Sequence, residues 1–232
     1  MMTGVLEIEY YGMAPWVLPL RAAIEANPAL SVRDAEWQQG PLSDLAFAVS
    51  TRLGYFADLM ASVDENVTAA LKEFEGKDAE VDELLRSGAA YRFYDYSHVR
   101  RALIGTSVYL SESRACFENL FRFYRLFLRN YFDEHIGEDA AREAISHIIP
   151  GSWSTDLWRL RNDVLHQRSL WLALKVSEHR YDPVFLLNWR PGQFQPDDCI
   201  TIAALRAIAV GLHQASATVR LELIKRVREV RS

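Results

Sequence analysis

A chain of 232 residues, half of them hydrophobic and a quarter charged, holds the material for a sizeable core and does not read as a disordered polyelectrolyte. Its formal charge of −5 excludes a protein that coats nucleic acid through bulk positive charge, so such a role would need a local basic patch. The two cysteines, Cys116 and Cys199, show no metal-like spacing and no disulfide framework, which fits reduced thiols and a cytoplasmic location.

Residues 1–9 carry neither a basic region nor an unbroken apolar stretch, so no secretory leader is expected. No apolar run reaches the roughly 18 residues that a membrane span needs. After a strand-like alternation at 7–10, Pro15 and Pro19 open a short helix that ends before Asn27-Pro28. From Pro41, apolar residues from Leu42 to Phe74 step by threes and fours, the stripe of a long amphipathic helix. Gly76 breaks it, an acidic helix runs to about Ser87, and a segment rich in aromatics (Tyr91, Phe93, Tyr94, Tyr96) follows.

Ser97 is the expected N-cap of a second long helix reaching about Phe132. A small helix over about 138–149 is closed by Pro150-Gly151, and a third long helix is expected over about 156–178. The prolines and glycine of 183–196 exclude regular helix there, and 184–187 is a strand candidate that could pair with the N-terminal one. Asp197 or Asp198 starts a fourth long helix with a basic C-terminal end. The expected fold is all-α: an up-and-down bundle of four long helices with shorter accessory helices and a candidate two-stranded β element near residues 5–11 and 184–189. It reads as a single domain over 1–232, with 1–40 as an N-terminal extension packed on it.

Phosphate loops, His-Glu-x-x-His, cysteine pairs and Gly-x-Ser-x-Gly elbows are missing from the sequence, and no cofactor or metal is expected. Attention therefore falls on the polar run Arg161-Asn162-Asp163-Val164-Leu165-His166. On a continuous helix, Arg161, Arg168 and Lys175 lie within about 40° of Leu157, inside the apolar sector, where cations need acids, an anionic ligand or a partner. Pairing with neighbouring carboxylates and stems that reach the bundle edge are the ordinary explanation. His166 and Asn162 are one turn apart on another side, while His98, His135, His147, His179 and His213 form no partner pattern.

Arg161-Asn162 followed four residues later by His166 resembles the Arg-x(4 to 6)-His signature of the HEPN superfamily. The resemblance covers these six residues and the general helical plan. It implies a small helical bundle, commonly a homodimer, acting as a metal-independent endoribonuclease in prokaryotic toxin-antitoxin or defence systems. Arg161 would then hold the scissile phosphate, His166 would move the proton of the attacking 2′-hydroxyl or the leaving oxygen, and Asn162 would orient the imidazole or bind a phosphate oxygen. Arg161 and His166 are about 140° apart on a helix, so a composite site at a dimer interface is implied. The family also uses a polar residue from the preceding long helix, for which Glu118 and Asn119 are both candidates.

Arg122, Arg125 and Arg129 form a basic stripe on that preceding helix. It is either solvated surface paired with acids such as Asp133 and Glu134, or, with Arg168, a guide for an RNA backbone. Tyr91, Phe93, Tyr94 and Tyr96 beside Arg92 either pack the segment down or stack on bases. Expected partners are thus RNA, a second copy of the chain and an antitoxin protein, with no membrane. The competing reading is a catalytically inactive helical bundle that binds a partner protein or small ligand through its dimerising face, and a third is a helical enzyme or ligand-binding protein of another family.

Overall fold

In a computed structural model, the described residues are 15–31, 37, 40–88, 91–148, 153–166, 170–177, 180–186 and 199–230; within them, the side chains at 146–148, 159, 161–166, 177 and 180 lie outside the description. The chain is mostly helical, with one small antiparallel sheet. Its helices are α1 (Leu18–Glu25), α2 (Pro28–Ser31), α3 (Pro41–Leu71), α4 (Asp78–Ser87), α5 (Tyr96–Phe132), α6 (Glu138–Ile148), α7 (Trp153–His166) and α8 (Ile202–Glu229). The strands are β1 (Trp171–Ser177), β2 (Arg180–Leu186) and β3 (Cys199–Thr201), in the order β1-β2-β3. The residues divide into two compact units, one of 1–54, 116–149 and 214–232, the other of 55–115 and 150–213.

The first unit is built on aromatics. Phe117, Phe121, Phe123 and Phe127 of α5 are fully buried, as are Leu20 and Ile24 of α1. Trp16 holds the short helices in place: its indole donates to Ala46 O at 2.9 Å, its carbonyl accepts from Arg220 Nη1 at 3.0 Å, and its ring meets Phe123 edge-on at 5.1 Å. Asn27 does similar work, donating to Val227 O at 2.8 Å. Each of these bonds satisfies a polar group that burial would otherwise penalise by about 1–3 kcal/mol.

In the second unit, Phe56 of α3 packs edge-on against Tyr109 of α5 at 5.7 Å, and the Tyr109 hydroxyl donates to Leu205 O of α8 at 2.7 Å. Trp153, Leu157 and Leu160 form the buried stripe of α7, at the spacing of four and three that a helix requires. Gly211 of α8 is where the Trp153 indole approaches the helix backbone, leaving no room for a β-carbon.

The third long helix expected over 156–178 is corrected to the 14-residue α7 followed by β1. The apolar run at 171–176 satisfies a helical and an extended pattern alike. What selects the strand is the partner: Trp171–Ser177 pairs residue for residue with Arg180–Leu186, from Trp171↔Leu186 to Ser177↔Arg180, a hairpin that pairs the facing backbone groups of the two strands. Val184, Phe185 and Leu186, on the central strand, are all buried. The strand candidate at 184–187 therefore exists as part of β2, but its partners are β1 and β3. The N-terminal strand candidate at 5–11 lies outside the described residues.

Two caps also differ from expectation. Asp95, not Ser97, begins α5: its carboxylate accepts from Ser97 N–H at 2.9 Å, while Glu73 accepts from the N–H groups of Tyr94 and Asp95 at 3.0 and 2.9 Å. The last helix starts at Ile202, because Cys199–Thr201 is drawn into the sheet, and Thr201 Oγ1 caps it by accepting from Ala204 N–H at 3.1 Å. This helix also departs from the expectation about apolar runs: by length and composition, with a mean hydropathy of 1.3 over its most apolar window, α8 is long and apolar enough to cross a membrane. Leu205, Ile208, Leu212, Val219 and Leu223 are buried within the protein, while Val210 and Leu221 of the same helix are exposed.

Candidate functional site

The end of α5 creates a basic concavity in the first unit. Asp133 adopts a left-handed conformation, φ 56°, that Asp tolerates better than most residues, and Glu134 N–H returns to Leu128 O at 3.2 Å. The chain thus turns back beside its own helix before Gly137 O accepts from Ala141 N–H at the start of α6. Between the turned segment, the start of α3 and the face of α5 lies a groove of about 600 Å³, lined by Arg122, Arg125, Arg129, Glu134 and His135 together with Pro41, Leu45 and Leu126.

All three arginines of the stripe therefore face one groove. Arg125 is anchored: its Nε donates to Ile136 O at 3.2 Å and its Nη1 lies 3.8 Å from Glu138. Arg122, Arg129 and His135 are exposed and have no ion pair among the described residues. Glu134, the one acid among the described residues lining the groove, is ion-paired to Arg226, whose guanidinium also sits over the Phe132 ring at 4.8 Å. Burial alone would lower the Arg226 pKa; the Glu134 carboxylate more than offsets this, and the net shift is upward. The pairing of the stripe with Glu134 that the sequence suggested is replaced by this one. What remains in the groove is Arg122 and Arg129, two guanidinium groups with no ion pair among the described residues, the condition for attracting an anion.

The polar run is placed differently. Arg161, Asn162 and His166 belong to the last two turns of α7, in the second unit, and His166 is its final residue. Their side chains are not among those described, and Arg168 lies outside the described residues. Lys175 is no longer their neighbour on a helix. It is an exposed residue of β1 whose cross-strand partner is Asp182, so the stripe of three cations is reduced to Arg161 alone among the described residues. Glu118 and Asn119 are half-buried on α5 in the first unit, and neither lines the arginine groove.

The aromatic segment divides. Tyr91 and Phe93 close around Phe74, at 4.4 and 5.5 Å between ring centroids, which is packing. Tyr94 is 88% exposed, with Lys77 Nζ 5.5 Å from its ring, and retains a free face for stacking. Sequence reasoning found no partner pattern for His135, which lines the same groove. The short polar segment between α5 and α6, with a glycine at its end, was the available signal that the chain reverses there.

Among the described residues, no group of three or more His, Cys, Asp or Glu side chains is placed to hold a metal ion. No family model, curated protein or solved structure matches the chain.

Proposed function

We propose that this chain is a HEPN-like, metal-independent endoribonuclease that binds single-stranded RNA, and that the arginine groove of the first unit is its contact with the phosphate backbone. The observation that carries the proposal is the convergence of Arg122, Arg125, Arg129 and His135 on one groove in a chain of net charge −5. The seven steps from Arg122 to Arg129 advance about 10 Å along a helix, and a stacked strand presents a phosphate about every 3.4 Å, so the stripe meets more than one phosphate. Guanidinium groups suit this contact because they bind phosphate oxygens in pairs and stay charged.

Strand cleavage, on this reading, belongs to Arg161 and His166, with Asn162 as the orienting residue and Glu118 and Arg168 in support. Arg161 stabilises charge on the scissile phosphate, and His166 transfers the proton of the 2′-hydroxyl or of the leaving oxygen. Their separation of about 140° around α7 calls for two protomers of an up-and-down bundle, hence a homodimer. A cytoplasmic place in a prokaryotic toxin or defence system, with an antitoxin protein as partner, completes the proposal.

Binding and cleavage are tested separately. Replacing Arg122, Arg125 and Arg129 together with Gln should weaken RNA binding and flatten the dependence of log affinity on log salt by about 2, the single-strand value for three lost contacts. An unchanged slope returns the groove to ordinary surface. Incubation with unstructured RNA in chelator should give cleavage that Arg161→Ala and His166→Ala each abolish. RNA left intact by the wild-type chain sinks the nuclease and favours the catalytically inactive, partner-binding bundle.

A further inference from the structure

The second unit contains a groove of about 720 Å³ with the opposite character. Its floor is β1, through Leu172 and Leu174; its walls are Leu84 and Leu85 of α4, Leu103 of α5, and Phe93 of the segment between those helices. Leu85 and Trp171, at its lips, are 57% and 43% exposed, a cost that a soluble surface does not usually carry in one place. Among the described residues lining it, one is charged, Arg92. Arg92 is exposed and has no acidic partner among the described residues, whereas the nearby Lys77 is engaged by the Tyr91 hydroxyl at 2.9 Å.

From this arrangement we infer a binding site for a small amphiphile with an apolar body and a single carboxylate, the body lying on β1 and the carboxylate on Arg92. Size agrees, since ligand pockets run from about 300 to 1,000 Å³ and are mainly apolar with a few polar groups that fix orientation. Charge selects within that class. A polyanion would bring charges into an apolar floor with one cation among the described lining residues to meet them, and a neutral lipid would make no use of the Arg92 guanidinium at the rim. A single-headed anion satisfies both surfaces. This inference stands on residues outside the arginine groove and does not depend on RNA binding.

The test uses the full chain and parinarate, a fluorescent polyene carboxylate, displaced by palmitate or by hexadecanol. Saturable one-site binding is expected, displaced by palmitate. Leu103→Trp, which fills the groove, and Leu85→Glu, which charges its lip, should each weaken binding by about tenfold or more, with helical circular dichroism confirming that both variants fold. Arg92→Gln should weaken palmitate by about tenfold, the value of one charge-assisted contact, and leave hexadecanol unchanged. No saturable binding overturns the proposal, as does an Arg92→Gln variant that loses both competitors equally. A wild-type dimer that Leu85→Glu splits, with no parinarate bound, would assign the groove to a second copy of the chain instead.

Discussion

The Glu134 carboxylate is ion-paired to the Arg226 guanidinium, and so the only acid among the described residues lining the arginine groove does not neutralise the arginines beside it. The sign of the groove thus depends on a residue of α8 that does not line it. Replacing Arg226 with Gln releases a carboxylate beside Arg129 and His135, and RNA affinity at low salt should fall several-fold. Glu134→Gln removes that carboxylate and should raise affinity. Fluorescence anisotropy with an unstructured oligonucleotide reads both changes, and equal effects of the two variants would show that the ion pair has no bearing on the groove.

Gly211 gives a prediction about packing. A methyl group on an exposed helical glycine normally stabilises by about 0.5–1 kcal/mol, and Gly54 of α3, with nothing near its would-be β-carbon, should show that gain on mutation to Ala. At Gly211 the same change collides with the Trp153 ring, so Gly211→Ala should destabilise by about 1–3 kcal/mol. Urea denaturation of the two variants side by side checks the opposite signs.

Burial pushes the Tyr109 phenol up to about 12. Its neutral form is the one the fold binds, so its contribution to stability is complete below pH 10, where the unfolded chain also keeps the proton, and is lost as pH rises from 10 towards 12. Tyr181 is raised to about 12 as well, through its hydrogen bond to Asp78 at 2.5 Å, and acts in the same window. Tyr109→Phe should cost about 1 kcal/mol at neutral pH, since Leu205 O loses its donor, and should flatten the alkaline fall in melting temperature.

The central strand offers a test of the sheet. Phe185 is fully buried on β2 between β1 and β3, and Phe185→Ala should cost about 3–5 kcal/mol in chemical denaturation. A loss below about 1 kcal/mol would mean that the sheet is not part of the cooperative fold.

How much of this was legible in the sequence depends on how far each signal was local. The periodicity from Leu42 to Phe74 is local, and it located α3 to within a few residues. The strand at 171–177 was not legible, because Trp171-Leu172-Ala173-Leu174 carries no preference strong enough to outweigh the helix before it; the preference comes from the paired residues 180–186. The arginine stripe was visible from its spacing. Its groove was not, since that needed the left-handed Asp133 and the departure of Glu134 to a residue 92 positions away. His166 was read as a mid-helix residue and is the last residue of α7.

Lys175 acquires a different meaning once it belongs to a strand. Among the described residues β1 is an outer strand of the sheet, with apolar neighbours on both sides of Lys175, and such an edge is a template on which another extended chain can grow. A charge at mid-strand is the usual guard against that growth, because stacking a second copy there would bring like charges together and strip water from them. The residue that looked misplaced in an apolar stripe thus stands, among the described residues, where a charge opposes growth at the sheet edge.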